Sequence, residues 1–128
     1  MKHKKLYFSI VIVFSAVVFF ACDKYEGEIS GDVVYKDAAG DTHIAAGAIV
    51  SKIQLNGEKE TTVAKEKTDT NGHYLFTYTI KGSWKIAGRL EIDSLVYEGV
   101  SEVVTINGTN KEVRNMVLVP VENKGNNE

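Results

Sequence analysis

From Ile29 onward the chain alternates. Apolar or β-branched residues recur at every second position in seven short runs, at 29–36, 48–55, 61–68, 73–81, 84–93, 100–106 and 112–119, and a period of two is the mark of strands whose side chains go to opposite faces of a sheet. Between the runs stand Ala39-Gly40-Asp41, Asn56-Gly57, Thr70-Asn71-Gly72, Lys81-Gly82-Ser83 and Asn107-Gly108-Thr109-Asn110, where Gly and Asn accept the positive φ that tight turns need. No stretch holds a helical period with a cap. Strands at this spacing predict an all-β sandwich or barrel, and Pro120, the single proline, falls just past the last strand, where it can end pairing without breaking a ladder. Within 73–81, Tyr74, Phe76 and Tyr78 occupy alternate positions, so their rings are expected on one side; Tyr74 and Phe76 are expected in the core.

A different pattern precedes this. Residues 6–21 are nearly all apolar and follow Lys2, Lys4 and Lys5. A spanning helix needs about 20 such residues, and the following Asp23-Lys24-Tyr25-Glu26-Gly27-Glu28 holds no basic cluster to stop transfer. The segment is expected to be a signal peptide over residues 1–21. The one cysteine, Cys22, follows Phe19-Phe20-Ala21, which resembles the lipobox of bacterial lipoproteins. That resemblance implies a diacylglyceryl thioether on Cys22, cleavage before it and acylation of the new amine. A lone cysteine in an exported chain has no internal disulfide partner, and two or three acyl chains anchor durably. The expected organisation is a leader at 1–21, a lipidated tether at 22–28, a sandwich at 29–120 and a disordered polar tail at 121–128. The expected location is the cell envelope, on the outer membrane of a Gram-negative cell at its periplasmic or surface face, rather than the inner membrane.

Composition narrows the function classes. Removing residues 1–21 takes three of the 15 basic side chains and none of the 17 acidic ones, so the remaining 107 residues carry about −5. A nucleic-acid ligand would want a basic face, and none is expected here. His43 and His73 are the only histidines beyond the leader, and no metal-ligand spacing, serine elbow or Cys-His pair is present. No catalytic set, cofactor or metal site is expected. Asp69 should instead accept the amides of its own turn while Gly72 takes positive φ.

Two phrases carry a family resemblance: Ile29-Ser30-Gly31-Asp32-Val33 with Ala46-Gly47-Ala48-Ile49-Val50, and Thr68-Asp69-Thr70-Asn71-Gly72-His73-Tyr74-Leu75-Phe76 running on to Gly82-Ser83-Trp84-Lys85-Ile86. Together they resemble the carboxypeptidase regulatory-like domain, with Trp84 where a Tyr is usual and Lys52 where an apolar residue is expected. The resemblance covers about 28–120 and implies a seven-stranded Greek-key, transthyretin-like β-sandwich, mostly noncatalytic. The related hydroxyisourate hydrolases close their site with a C-terminal Tyr-Arg-Gly-Ser, whereas this sequence ends Lys124-Gly125-Asn126-Asn127-Glu128. A cousin sandwich, the collagen-adhesin repeat, joins a first-strand lysine to a last-strand asparagine; Lys36 and Asn115 are the matching residue types.

Asp93-Ser94-Leu95 is similar to a bacterial O-glycosylation signal, which marks Ser94 as a candidate acceptor. Tyr78, Trp84 and Tyr97, joined by Tyr35, are the candidate binding surface for a glycan or an envelope protein. If they form an exposed strip, the domain is a binder; an evenly polar surface makes it a structural spacer.

Overall fold

The computed structural model describes residues 27–121. Cys22 and its leader, residues 23–26 and the expected tail from 122 onward lie outside the described residues. The fold is all-β: β1 (Gly27–Lys36), β2 (Thr42–Ile44), β3 (Ile49–Asn56), β4 (Lys59–Lys67), β5 (His73–Thr79), β6 (Gly82–Ile92), β7 (Leu95–Val100), β8 (Val104–Ile106), β9 (Lys111–Val113) and β10 (Met116–Pro120).

Both layers are built on β1. Its first half pairs antiparallel with β5 and parallel with β9; its second half pairs parallel with β10 and antiparallel with β2. From β10 the larger layer runs through β7, β6 and β3 to β4, and β8 lies on the start of β6. Ile29, Tyr74 and Phe76 from the smaller layer join Val50, Trp84, Ile86, Leu90, Val104 and Leu118 from the larger in one core. Trp84 and Tyr74 are the largest fully buried side chains, and truncating a ring of this size to alanine typically costs about 3–5 kcal/mol.

The seven expected runs become ten strands for identifiable reasons. β2 has only three residues, all exposed, so it leaves no alternation to read. The run expected at 100–106 straddles a break: Ser101 N donates to Ile86 O, and Ser101 Oγ accepts from Ile86 N and donates to Glu102 O, so 101–103 leave the ladder. The true strand there, β7, begins at Leu95 after a two-residue loop. The last run divides at Arg114-Asn115, where the chain passes from the smaller layer to the larger. Arg114 O accepts from the Tyr74 hydroxyl at 2.6 Å and Arg114 N donates to Ser30 O.

Three local expectations change with this topology. Asn107-Gly108-Thr109-Asn110 is a crossover between layers rather than a tight turn joining paired strands, since β8 pairs with β6 and β9 with β1. Pro120 is the last residue of β10, opposite Tyr97, rather than past it. Gly27 and Glu28, expected in the tether, already belong to β1; a Cβ at Gly27 would stand 2.4 Å from Ile106 Cγ2 and 2.9 Å from Thr79 O, so the sandwich closes tightly here. The Asp69 turn is as expected: Asp69 Oδ1 accepts from Asn71 N and His73 N, each at 2.9 Å, and Gly72 has φ +78°. Those two amides, His73 first, hold the Asp69 carboxyl below its usual 3.8.

Lys52 is the unusual core residue. In β3 it points inward with Val50, 5% exposed, although its side chain ends in a charge. Nζ donates to Thr79 Oγ1 at 3.1 Å and stands 5.1 Å from the Trp84 ring and 5.6 Å from the Phe76 ring. No carboxylate pairs with it among the described residues. Burying an ammonium is costly unless donors and charge are answered, and two aromatic faces and one hydroxyl are the answer present. Burial pushes the Lys52 amine below the usual 10.5.

Because the unfolded chain then binds more protons than the native one as pH approaches 10.5, stability must rise with pH in that window. The Tyr74 hydroxyl, raised by burial above its usual 10.0, adds an opposing loss above pH 10. Chemical denaturation of wild type and Lys52→Met, whose difference removes the Tyr74 effect, should show wild type gaining on the variant from pH 8 to pH 10. A pH-independent difference would show that the amine titrates normally.

Candidate functional site

The row Tyr74, Phe76, Tyr78 breaks before its last member. Ile29 pairs with Phe76 and Gly27 with Thr79, so two steps along β1 match three along β5. Thr77 and Tyr78 together stand opposite Glu28, which is a β-bulge. The extra residue turns Thr79 inward, fully buried, and Tyr78 outward, 74% exposed. Tyr78 has φ +53°, a conformation that L side chains adopt at a cost of order 1–3 kcal/mol.

Beside this ring is a cleft of about 290 Å³ lined by Glu28, Thr77, Tyr78, Thr109 and Lys111. β1, β5, β9 and the crossover loop each contribute. Glu28 and Lys111 are neighbours in the parallel pairing, with Lys111 Nζ 3.9 Å from Glu28 Oε2. Asn110 pins the loop: its Oδ1 accepts from Asn107 N at 2.8 Å, and its Nδ2 donates to Thr105 O and Glu112 Oε2. One aromatic face, two hydroxyls, a carboxylate and an ammonium thus surround a concavity held by backbone and amide hydrogen bonds. Such a set can stack on a ring and hydrogen-bond to its hydroxyls.

The expected surface of Tyr78, Trp84 and Tyr97 does not form. Trp84 is 1% exposed, its indole donating to Ile80 O at 3.0 Å, and Tyr97 is 4% exposed. Both sit on inward positions of the larger layer, and a large ring there is more stable in the core than in water. Tyr97 packs on Tyr35, centroids 4.9 Å apart, and Tyr35 stacks on His43 at 5.0 Å. His43 Nε2 lies 2.8 Å from Asp37 Oδ2, and this contact, with the Asp41 amide, holds the Asp37 carboxyl below 3.8. The Tyr35 group is seven residues along β1 from Glu28, roughly 23 Å at 3.3 Å per residue, so only Tyr78 of the four is at the cleft. Its partners Glu28, Thr77, Thr109 and Lys111 carried no sequence signal, because strand pairing assembles them.

Ser94 lies at the apex of the β6–β7 hairpin. Ile92 pairs with Leu95, and Asp93 and Ser94 have φ +50° and +71°, as a type I′ turn requires. Its side chain is exposed. Lys36 and Asn115, the matching types for a cross-strand bond, are separated: Asn115 Oδ1 accepts from Asp32 N at 2.9 Å, four residues from Lys36 along β1. Register thus sets the two residues at different levels along β1.

The outer face of the larger layer holds a second feature that alternation alone did not reveal. Register aligns Ile44, Val34 and Val117 across β2, β1 and β10, and Val100 with Ala87 across the neighbouring β7 and β6. Ile44, Val117 and Val100 are 56%, 47% and 61% exposed. At its β6–β3 end this stripe enters a shallow depression of about 440 Å³ that also includes Ile49, Ser51, Lys65, Arg89 and Glu98.

No protein-family model matches the chain, and no curated protein matches it. Among solved structures it is similar to a proposed carbohydrate-binding protein of Pseudomonas aeruginosa, with 17% identity, a TM-score of 0.49, and 73% of this chain and 90% of that one covered. It is also similar to GBS52, the minor pilin of Streptococcus agalactiae, with 15% identity, a TM-score of 0.49 and coverage of 77% and 46%. A third likeness is to Mfa2, the fimbrial anchor protein of Porphyromonas gingivalis, with 8% identity, a TM-score of 0.47 and coverage of 74% and 50%. The chain therefore spans about half the length of the pilin and of the fimbrial anchor.

Tyr78 contributes strain and little burial, so Tyr78→Gly should raise unfolding free energy by about 1 kcal/mol. Urea denaturation reads this directly, and a loss of stability of similar size would show that the ring packs against the fold.

Proposed function

We propose that this chain is a noncatalytic, lipid-anchored binding module of the bacterial cell envelope, held by Cys22 on the outer membrane, that takes a glycan at the Tyr78 cleft. The observation that carries this reading is Tyr78 itself: a ring 74% exposed on a positive-φ bulge, beside two threonine hydroxyls and the Glu28–Lys111 pair. Strained residues held in place by the surrounding structure cluster at ligand sites, and an exposed aromatic kept in such a conformation supports a binding role. An aromatic face covers the apolar side of a pyranose while neighbouring oxygens and nitrogens meet its hydroxyls. The carboxypeptidase regulatory-like resemblance agrees with a module of this kind, and Ser94, exposed on its turn, is proposed as a modification acceptor.

A second reading, docking of an envelope protein, is favoured by the outward stripe of Ile44, Val34, Val117 and Val100, since contiguous exposed apolar surface marks interaction sites. It uses a different face from the cleft. The plain spacer is the remaining alternative.

Titrating the acyl-free chain from residue 23 against an array of envelope polysaccharide fragments separates these. The expected result is saturable binding that Tyr78→Ala weakens tenfold or more and Val100→Glu leaves unchanged. Loss on Val100→Glu alone would move the site to the stripe. Absence of any binding to the array would overturn the glycan reading and leave protein docking and the spacer in its place.

A further inference from the structure

The bulge at Tyr78 needs a cause, because regular alternation would have continued. Phe76 is inward, so Tyr78 would be the next inward residue and Thr79 would face out. The chain instead inserts a residue and accepts a positive φ on a tyrosine. Two explanations compete. One is steric: the sandwich closes tightly at Gly27, where Ile106 and Thr79 O leave no room for even a Cβ. The other is chemical, and it starts from Lys52.

The Lys52 ammonium is inside the core with three donors, and among the described residues the one acceptor it bonds is Thr79 Oγ1 at 3.1 Å. Its other neighbours, Phe76 and Trp84, present ring faces. Ile86, its partner in the β3–β6 ladder, and Ile29 and Val50 of the same core are apolar and fully buried. With alternation unbroken beyond Phe76, Thr79 would point its hydroxyl to solvent. The insertion ahead of Thr79 is what brings its oxygen to the amine.

We propose that Lys52 is the positioning residue of the Tyr78 cleft: by requiring the Thr79 hydroxyl inside, it forces the β5 bulge that holds Tyr78 out over the site. This rests on the glycan-binding reading for its functional meaning. The conformational claim stands apart from it. Lys52 does not line the cleft and, among the described residues, makes no hydrogen bond or ion pair to one that does, so it acts through Thr79 and the backbone on the geometry of Tyr78 rather than on any ligand contact. The position where the family pattern asks for an apolar residue is thus the one that shapes the surface.

Substitutions at Thr79 discriminate between the causes, because Val has the shape of Thr without the oxygen and Ser keeps the oxygen. Nuclear magnetic resonance reads the outcome without a ligand: a positive φ gives a strong intraresidue Hα–HN cross-peak at Tyr78. Thr79→Ser should keep this peak. Thr79→Val and Lys52→Met should lose it, and both should weaken glycan binding about tenfold where wild type binds. Should Thr79→Val alone not fold, the double variant Lys52→Met with Thr79→Val leaves neither partner unanswered and should fold with the peak absent. A Tyr78 peak retained in Thr79→Val or in the double variant overturns the proposal and assigns the bulge to the steric end of the core. If wild type bound no glycan while the peak followed the oxygen, the functional reading would fall and Lys52 would remain the cause of the bulge.

Discussion

A charged amine inside a β-sandwich of this size has to be answered locally, and the way Lys52 is answered organises one end of the molecule. Its ammonium lies between the Trp84 and Phe76 rings and donates to Thr79. Three elements, β3, β5 and β6, are therefore tied at one point by a group that would prefer water. The rings supply an electrostatic attraction worth about 0.5–2 kcal/mol, and the hydroxyl supplies a directed bond. Neither substitutes for the other, because the aromatic faces satisfy charge but accept no conventional hydrogen bond.

The second constraint is the shared strand. β1 gives its first half to one layer and its second half to the other, so the two ends of the sandwich have different surroundings along a single element. Near Gly27 the layers close tightly, β5 bulges and β9 arrives in parallel, which together make the cleft. Near Tyr35 the same strand carries a stack of Tyr97, Tyr35 and His43 that ends on Asp37. Aromatic residues that look equivalent in sequence thus divide into core, stack and exposed ring according to their place along β1 and its partners.

The sequence made the repeat of two legible, and with it most strands, the Asp69 turn, and Tyr74 and Phe76 as core. It did not show β2, whose three exposed residues have no pattern, nor the layer change at Arg114, which depends on the hydroxyl of a distant Tyr74. Trp84 and Tyr97 lie in the core, which alternation does not reveal because a polar tip on a ring is compatible with either side; their neighbours in the sheet decide. Lys52 was visible as an exception, yet a lone sequence gives no means of telling a slipped register from a truly inward charge. Glu28, Thr77, Thr109 and Lys111 were silent, because strand pairing brings them together and no spacing records it.

The most direct test is to observe the Lys52 amine itself. With lysine labelled at Nζ and Cε, titration by nuclear magnetic resonance should give a midpoint below 10.5, with cross-peaks from the Lys52 side chain to Trp84, Phe76 and Thr79. A midpoint at the ordinary lysine value, with no contacts to those rings, would place the amine in solvent and contradict the account.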